Sequence, residues 1–202
     1  MAIVGAQPRL KTNPIAYAVP ASKMQPLLFN VAPTQVAGNK IRLARRVGAG
    51  LIPNWVAGPD GTVIDKETDG IPDEYFMLPF GGTRENGSHK GYAFAAVVDI
   101  MTGQLSGAGP GFIQQKTAHY FQAWKIDAFM DTEKFKDDMD DFLEGLANTK
   151  PAPGQERDRK STRLNSSPVV ISDAVYRLKK KNIIFFFLKC VYSLISKALV
   201  AH

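Results

Sequence analysis

The stretch of this sequence best equipped for chemistry is Gly81-Gly82-Thr83-Arg84-Glu85-Asn86-Gly87-Ser88-His89-Lys90-Gly91-Tyr92. Its glycines let backbone come close to a ligand, and Ser88 stands where a helix should begin. Helix N-termini present unpaired N–H groups and a partial positive charge, so they attract phosphate. A lysine at that end is electrostatically unfavourable unless an anion joins it. Lys90 would serve such a ligand as a point charge and Arg84 as a bidentate partner. His89 would donate to the same oxygen or carry a proton. The pattern is neither a P-loop nor G-x-G-x-x-G, and read alone it also fits a solvated turn. A second cluster, Asp137, Asp138, Asp140, Asp141 and Glu144, has the residue types of a metal site. Carboxylates on one exposed helical face are ordinarily solvated, and that is how we read these.

Several elements must hold this loop in place. Asn13 to Pro20 alternates apolar and small residues, which suits a short strand, and Leu27-Leu28-Phe29 suits a buried one. Thr34 is expected to cap a helix in which Val36, Lys40, Ala44 and Val47 share a side, with Gly48 and Gly50 ending it. Gly58-Pro59-Asp60-Gly61 reads as a turn. Tyr92 to Met101 is apolar on nearly every side, and such a helix should be buried. Gly103, Gly107, Gly109 and Gly111 mark a second flexible stretch, and His119 falls where a strand is expected. The clearest amphipathic helix is Asp131 to Leu146. Phe135, Met139, Phe142, Leu143 and Leu146 form its apolar face, Asp131 is its cap, and Asn148 with Pro151 closes it.

Composition bounds the rest. The 202 residues, 45% hydrophobic and 22% charged, can bury a core and exclude collagen-like and wholly disordered classes. The single cysteine, Cys190, excludes an internal disulfide, and Met1 to Leu10 lacks a signal-peptide pattern, so a cytoplasmic address is expected. The net charge of +6 is uneven. Residues 1–157 hold 16 Lys+Arg against 17 Asp+Glu, and residues 158–202 hold 9 against 2. The body is therefore nearly neutral. The tail opens with Asp158-Arg159-Lys160-Ser161-Thr162-Arg163-Leu164-Asn165-Ser166-Ser167 and runs to Lys179-Lys180-Lys181. That order closely resembles a translated sequencing-library adapter followed by a poly-A-like lysine run. We therefore expect residues 1–157 to be the folded enzyme-like body and 158–202 a non-native, poorly structured tail. The competing reading is a membrane anchor over Ile183 to Val200 with a polybasic flank. Lys189 and Lys197 interrupt it, and a spanning helix needs about 20 mostly apolar residues. The basic residues match no nucleic-acid-binding module, so neither membrane nor nucleic acid is an expected partner.

Five segments then occur in one order: Thr12-Asn13-Pro14-Ile15-Ala16, Phe29-Asn30-Val31-Ala32, Leu78-Pro79-Phe80-Gly81-Gly82, His89-Lys90-Gly91-Tyr92, and Val98-Asp99-Ile100 with Leu105-Ser106-Gly107-Ala108. In that order they resemble the malate/lactate/ureidoglycolate dehydrogenase family of NAD(P)-dependent 2-hydroxyacid oxidoreductases. The similarity extends over nearly all of residues 5–157. It implies an α/β (α+β) fold, a non-Rossmann cofactor domain on a mixed sheet with packed helices, acting as a homodimer or larger. It implies NAD or NADP as cofactor and a small 2-hydroxy or 2-oxo acid as substrate, with a histidine exchanging the proton at the oxygen.

Residue by residue, the resemblance puts Thr12 and Asn13 near the nicotinamide or substrate. It lines the cofactor pocket with Asn30, Val31 and Ala32, and sets His89, Lys90 and Gly91 at the phosphate or ribose. Each has a structural alternative: Asn13 as a turn cap, Val31 and Ala32 as packing, Gly91 as a site of close helix approach. The sequence departs from the family pattern at Asn30 and Gly58, where aspartate is usual. The family's catalytic histidine lies upstream of the Thr-Asn-Pro motif, and none of the eleven residues before Thr12 is histidine. The expectation is a truncated, inactive piece of a dehydrogenase. The alternative is a short non-catalytic protein whose basic, apolar tail binds a membrane or an acidic partner.

Overall fold

The computed structural model describes residue 5 and residues 7–154, 163–165 and 182–190. Its elements are β1 (Ile15–Val19), β2 (Leu27–Val31), α1 (Gly38–Val47), β3 (Val56–Ala57), β4 (Phe76–Met77), α2 (Ser88–Asp99), α3 (Gly111–Gln114), β5 (Ala118–Lys125), α4 (Thr132–Ala147), β6 (Arg163–Asn165) and β7 (Ile183–Cys190). They form two compact units, one of residues up to 14, 32–120 and from 188 onward, the other of 15–31 and 121–187.

In the first unit, α1 and the β3–β4 pair enclose a core of Val36, Ile41, Leu51 and Val56, with Trp55, Ile64, Ile71, Tyr75 and Met77 against it. The helix begins later than Thr34. Thr34 sits instead in a bridge with Pro79, its hydroxyl donating to the Val36 carbonyl, so the chain there stays extended. The helix starts at Gly38 and buries Ile41, while Val47 and Lys40 face solvent. Its C-terminal end is the expected one: Gly48 adopts φ 69°, a left-handed conformation that glycine takes without a Cβ penalty.

Helix α2 begins at Ser88, four residues before the apolar run, and it is not buried all round. Ala95 and Val98 are fully covered, whereas Phe94, Val97 and Ile100 are each more than half exposed. At Ile100 the helix widens into a π-turn that runs to Gln104. Gly103 inside it is packed rather than flexible, since a Cβ there would meet the Gly109 carbonyl oxygen at 2.7 Å.

The second unit carries most of a five-stranded sheet of order β5-β7-β1-β2-β6. β1 and β2 form an antiparallel hairpin with Tyr17 opposite Phe29, and β6 runs parallel to β2 with Leu164 opposite Phe29. The sheet is thus mixed. Asp131 caps α4 as expected, its carboxylate accepting from the Lys134 N–H at 2.8 Å. Two stretches of residues 158–202, β6 and β7, join this sheet, which the sequence did not announce; the adapter-like remainder and Val191 to Val200 lie outside the described residues.

Candidate cofactor site

The site is built from the segment 32–36 upward. Phe80 donates its N–H to the Pro33 carbonyl at 3.2 Å, and Gln35 donates to the Leu78 carbonyl at 2.8 Å. These bonds hold Ala32, at the head of that segment, beside the strand that delivers the glycine loop. The loop then closes on itself. Ser88 donates to the Thr83 carbonyl at 2.9 Å, Gly87 to that of Arg84 at 3.0 Å, and Thr83 to that of Gly81 at 2.7 Å. Gly81 must be glycine, because φ is 94° and a Cβ would lie 2.6 Å from the Ser88 nitrogen.

The start of α2 has the properties an anion needs. Its N-cap is Gly87, no side chain caps it, and its first turn contains no acid. Lys90 is exposed, and its side chain folds back over that cap: a Cβ on Gly87 would sit 3.5 to 3.8 Å from its Cδ, Cε and Nζ. His89 is exposed beside it. Glu85 keeps its charge at lower pH than usual, through its own N–H first and then the Thr83 hydroxyl and Arg84. Arg84 therefore already has an acidic neighbour, and Lys90 is the cation the cap presents. Gly91 is where the packing alternative holds: a Cβ would meet the Phe80 carbonyl oxygen at 2.5 Å and its nitrogen at 2.7 Å. Its missing side chain lets the helix, with Lys90, lie against the Phe80 backbone.

Thr12 and Asn13 come to the same helix. Leu10 packs on Ala95 with Tyr92 and Ala96 around it, and Asn13 donates its side-chain N–H to the Ala95 carbonyl at 2.8 Å. Asn13 is wholly buried, in a left-handed conformation with φ 33° that asparagine tolerates better than most residues. Its Oδ1 is a buried acceptor without a donor among the described residues. Such an atom costs about 1–3 kcal/mol unless something supplies an N–H or O–H. In this unit, then, Asn13, Ala32, His89, Lys90 and Gly91 are tied to one framework of segment 32–36, loop 81–87 and α2, and Thr12 directly precedes Asn13. Asn30 and Val31 lie on β2, in the other unit, paired with Ala16 and Ile15. No group of three or more possible metal ligands occurs among the described residues.

One acid escaped the sequence reading. Asp140, taken as part of a solvated face, accepts three backbone N–H bonds, from Lys23 at 2.7 Å, Met24 at 2.9 Å and Ser22 at 3.1 Å. It ties α4 to the tip of the β1–β2 hairpin. A small-residue turn at Ala21-Ser22 facing an acid-rich helix was the only available hint.

A family model described as malate/L-lactate dehydrogenase matches residues 1–176. The chain belongs to that family. The match spans both units and crosses residue 157. A malate dehydrogenase of Pyrococcus horikoshii is 31% identical over 161 residues, which cover 76% of this chain and 44% of the relative. A Delta(1)-pyrroline-2-carboxylate reductase of Ancylobacter novellus is 35% identical over 103 residues, covering 51% of this chain and 28% of its own length. The malate dehydrogenase structure from Entamoeba histolytica superposes with a TM-score of 0.62 at 24% identity, over 88% of this chain and 56% of that one. That likeness establishes the fold. The chain spans less than half the length of these curated relatives.

Proposed function

We propose that this chain is part of an oxidoreductase of 2-hydroxy and 2-oxo acids, or of their 2-imino analogues, and that it carries the cofactor-binding portion. The observation that carries this reading is the start of α2: a helix terminus with no side-chain cap and no first-turn acid, under the exposed ammonium group of Lys90, on a framework shared with the buried Asn13 Oδ1. These residues fit a dinucleotide. The exposed Lys90 ammonium would hold a phosphate and the exposed His89 would add a hydrogen bond, while the Ser88 and Lys90 N–H groups are already donated to the Thr83 and Gly87 carbonyls. The Thr12–Asn13 turn would offer an acceptor to an amide N–H. Gly91 acts by position, keeping α2 close to Phe80. The family resemblance also assigns Asn30, Val31 and Ala32 to cofactor binding. When bound, the nicotinamide supplies or accepts the hydride at C2 of the acid.

NAD and NADP both remain within this proposal, and the substrate class rests on the relatives' names. The exposed Phe94 and Val97 on α2, and Ile100 directly after it, support a homodimeric parent. A cytoplasmic site of action is also part of the proposal. No helix among the described residues is long and apolar enough to cross a membrane, and Ile183–Cys190 of the apolar tail is a strand.

Fluorescence titration with NADH and NADPH tests the reading. Replacing Lys90 with Ala removes one exposed charge-assisted contact, so Kd should rise about five- to tenfold, equivalent to about 1–1.4 kcal/mol. Equal affinity in both proteins would refute it.

A further inference from the structure

The strand β5 has one neighbour in the sheet, and that neighbour is β7. Without β7, this eight-residue strand would lose its ladder and β1 would keep only β2. Two backbone bonds fix how β7 lies. Ile126 donates to the Asn182 carbonyl at 3.2 Å, joining the end of β5 to the start of β7. Lys189 donates to the Pro14 carbonyl at 3.1 Å, joining the end of β7 to the start of β1. β7 therefore runs antiparallel to both.

The side chains obey the same registers. Phe187 falls opposite Phe121, with ring centroids 4.9 Å apart, and Phe186 falls opposite Tyr17 at 5.9 Å. The diagonal neighbours follow, Phe185 at 6.2 Å from Phe121 and Phe186 at 5.9 Å from Trp124. Successive residues of β7 thus meet apolar partners on opposite faces, and Leu188 is fully covered. The apolar run Ile183-Ile184-Phe185-Phe186-Phe187-Leu188 is half-buried up to Leu188, its Tyr17 and Trp124 side better covered than the side of Phe121, which is 64% exposed.

We infer that the gap between β1 and β5 is a strand-acceptor site for an extended segment apolar on both faces, and that residues 183–190 of this chain occupy it as a donor strand. Recognition of this kind draws its affinity from main-chain ladders and its selectivity from alternate side chains. Here both ladders and both aromatic faces are local to residues 182–190, so the covalent link through 166–181 is dispensable once the strand is seated. The inference is independent of the cofactor reading.

The test uses the full chain with a site-specific protease sequence inserted between Pro168 and Val169 and cut under native conditions. The released C-terminal piece should co-elute with the body in gel filtration, and hydrogen exchange at β1 and β5 amides should be unchanged. A labelled peptide of Asn182–Cys190 should displace it, and the same peptide with Phe186→Asp should not. Separation of the pieces with β5 still protected would overturn the inference. In the uncut chain, Phe186→Pro removes a ladder N–H from the middle of β7. It should speed exchange at β5 amides at least tenfold while Ile41 and Val56 stay protected. Unchanged exchange at β5 would contradict the assignment.

Discussion

Adding one methyl group to Gly91 tests how Lys90 is held. The new Cβ would lie 2.5 Å from the Phe80 carbonyl oxygen, where ordinary contact begins near 3.4 Å, so α2 must retreat by roughly 0.9 Å. The obstacle is backbone, which cannot rotate away. Overpacking of this kind costs about 1–3 kcal/mol. Against it stands the gain of about 1 kcal/mol from replacing glycine with alanine inside a helix. The upper part of the overpacking range applies, leaving a net loss of about 1–2 kcal/mol. Gly145 in α4 supplies the control, because a Cβ there meets nothing within 4 Å. Gly145→Ala should therefore be stabilised by up to about 1 kcal/mol. For a chain of this size each kcal/mol moves the melting temperature about 2–4 °C. Thermal unfolding should thus show Gly91→Ala falling by about 2–8 °C and Gly145→Ala rising by up to about 4 °C. NADH affinity should fall in the first variant and hold in the second. If both variants raised the melting temperature, the close approach of α2 to Phe80 would be wrong.

Other changes have equally definite outcomes. Asn13→Ala deletes a buried hydrogen bond and leaves the Ala95 carbonyl without that donor, so urea unfolding should show a loss of about 1–3 kcal/mol. Ile41→Ala empties the centre of the α1 core and should cost about 2–5 kcal/mol in the same assay. At Asp140, burial raises the carboxyl pKa, but the N–H groups of Lys23, Met24 and Ser22 outweigh it and the net shift is downward. The folded value is then below the unfolded one. The stabilisation is complete above the unfolded pKa and fades as pH falls through the folded pKa. Asp140→Asn should be less stable than the parent near neutral pH, and the two unfolding curves should converge in acid.

What was legible in the sequence was local. The helix from Thr132 to Ala147 announced itself through an aspartate cap and a single apolar face, and the left-handed Gly48 marked the end of α1. Strand β1 was bracketed by its prolines. What escaped depended on distant residues. Thr34 has the chemistry of a cap, yet pairing with Pro79 keeps it extended. The all-round apolar character of α2 suggested burial, but only the Ala95 and Val98 side is covered, so composition alone misjudged the environment. Asp140 looked like its neighbours Asp137, Asp138 and Asp141 and differs only because a hairpin tip reaches it. The same holds for Ile183–Cys190, read from the sequence as part of a poorly structured tail with a membrane anchor as the competing reading, and found as a strand between β5 and β1. At the candidate site, the motif residues were visible as a pattern. The packing role of Gly91 stood only as one alternative, and the tie from Asn13 to Ala95 was not visible at all.

The central claim is that a nicotinamide dinucleotide settles at the start of α2. Amide chemical-shift mapping of the isotope-labelled chain, titrated with NADH and then NADPH, tests it most directly. The account predicts that the largest, saturable shifts fall on Gly81 to Gly91 and on Thr12 and Asn13, and shrink in Lys90→Ala. Saturable shifts confined to other parts of the chain, or none with either nucleotide, would contradict it.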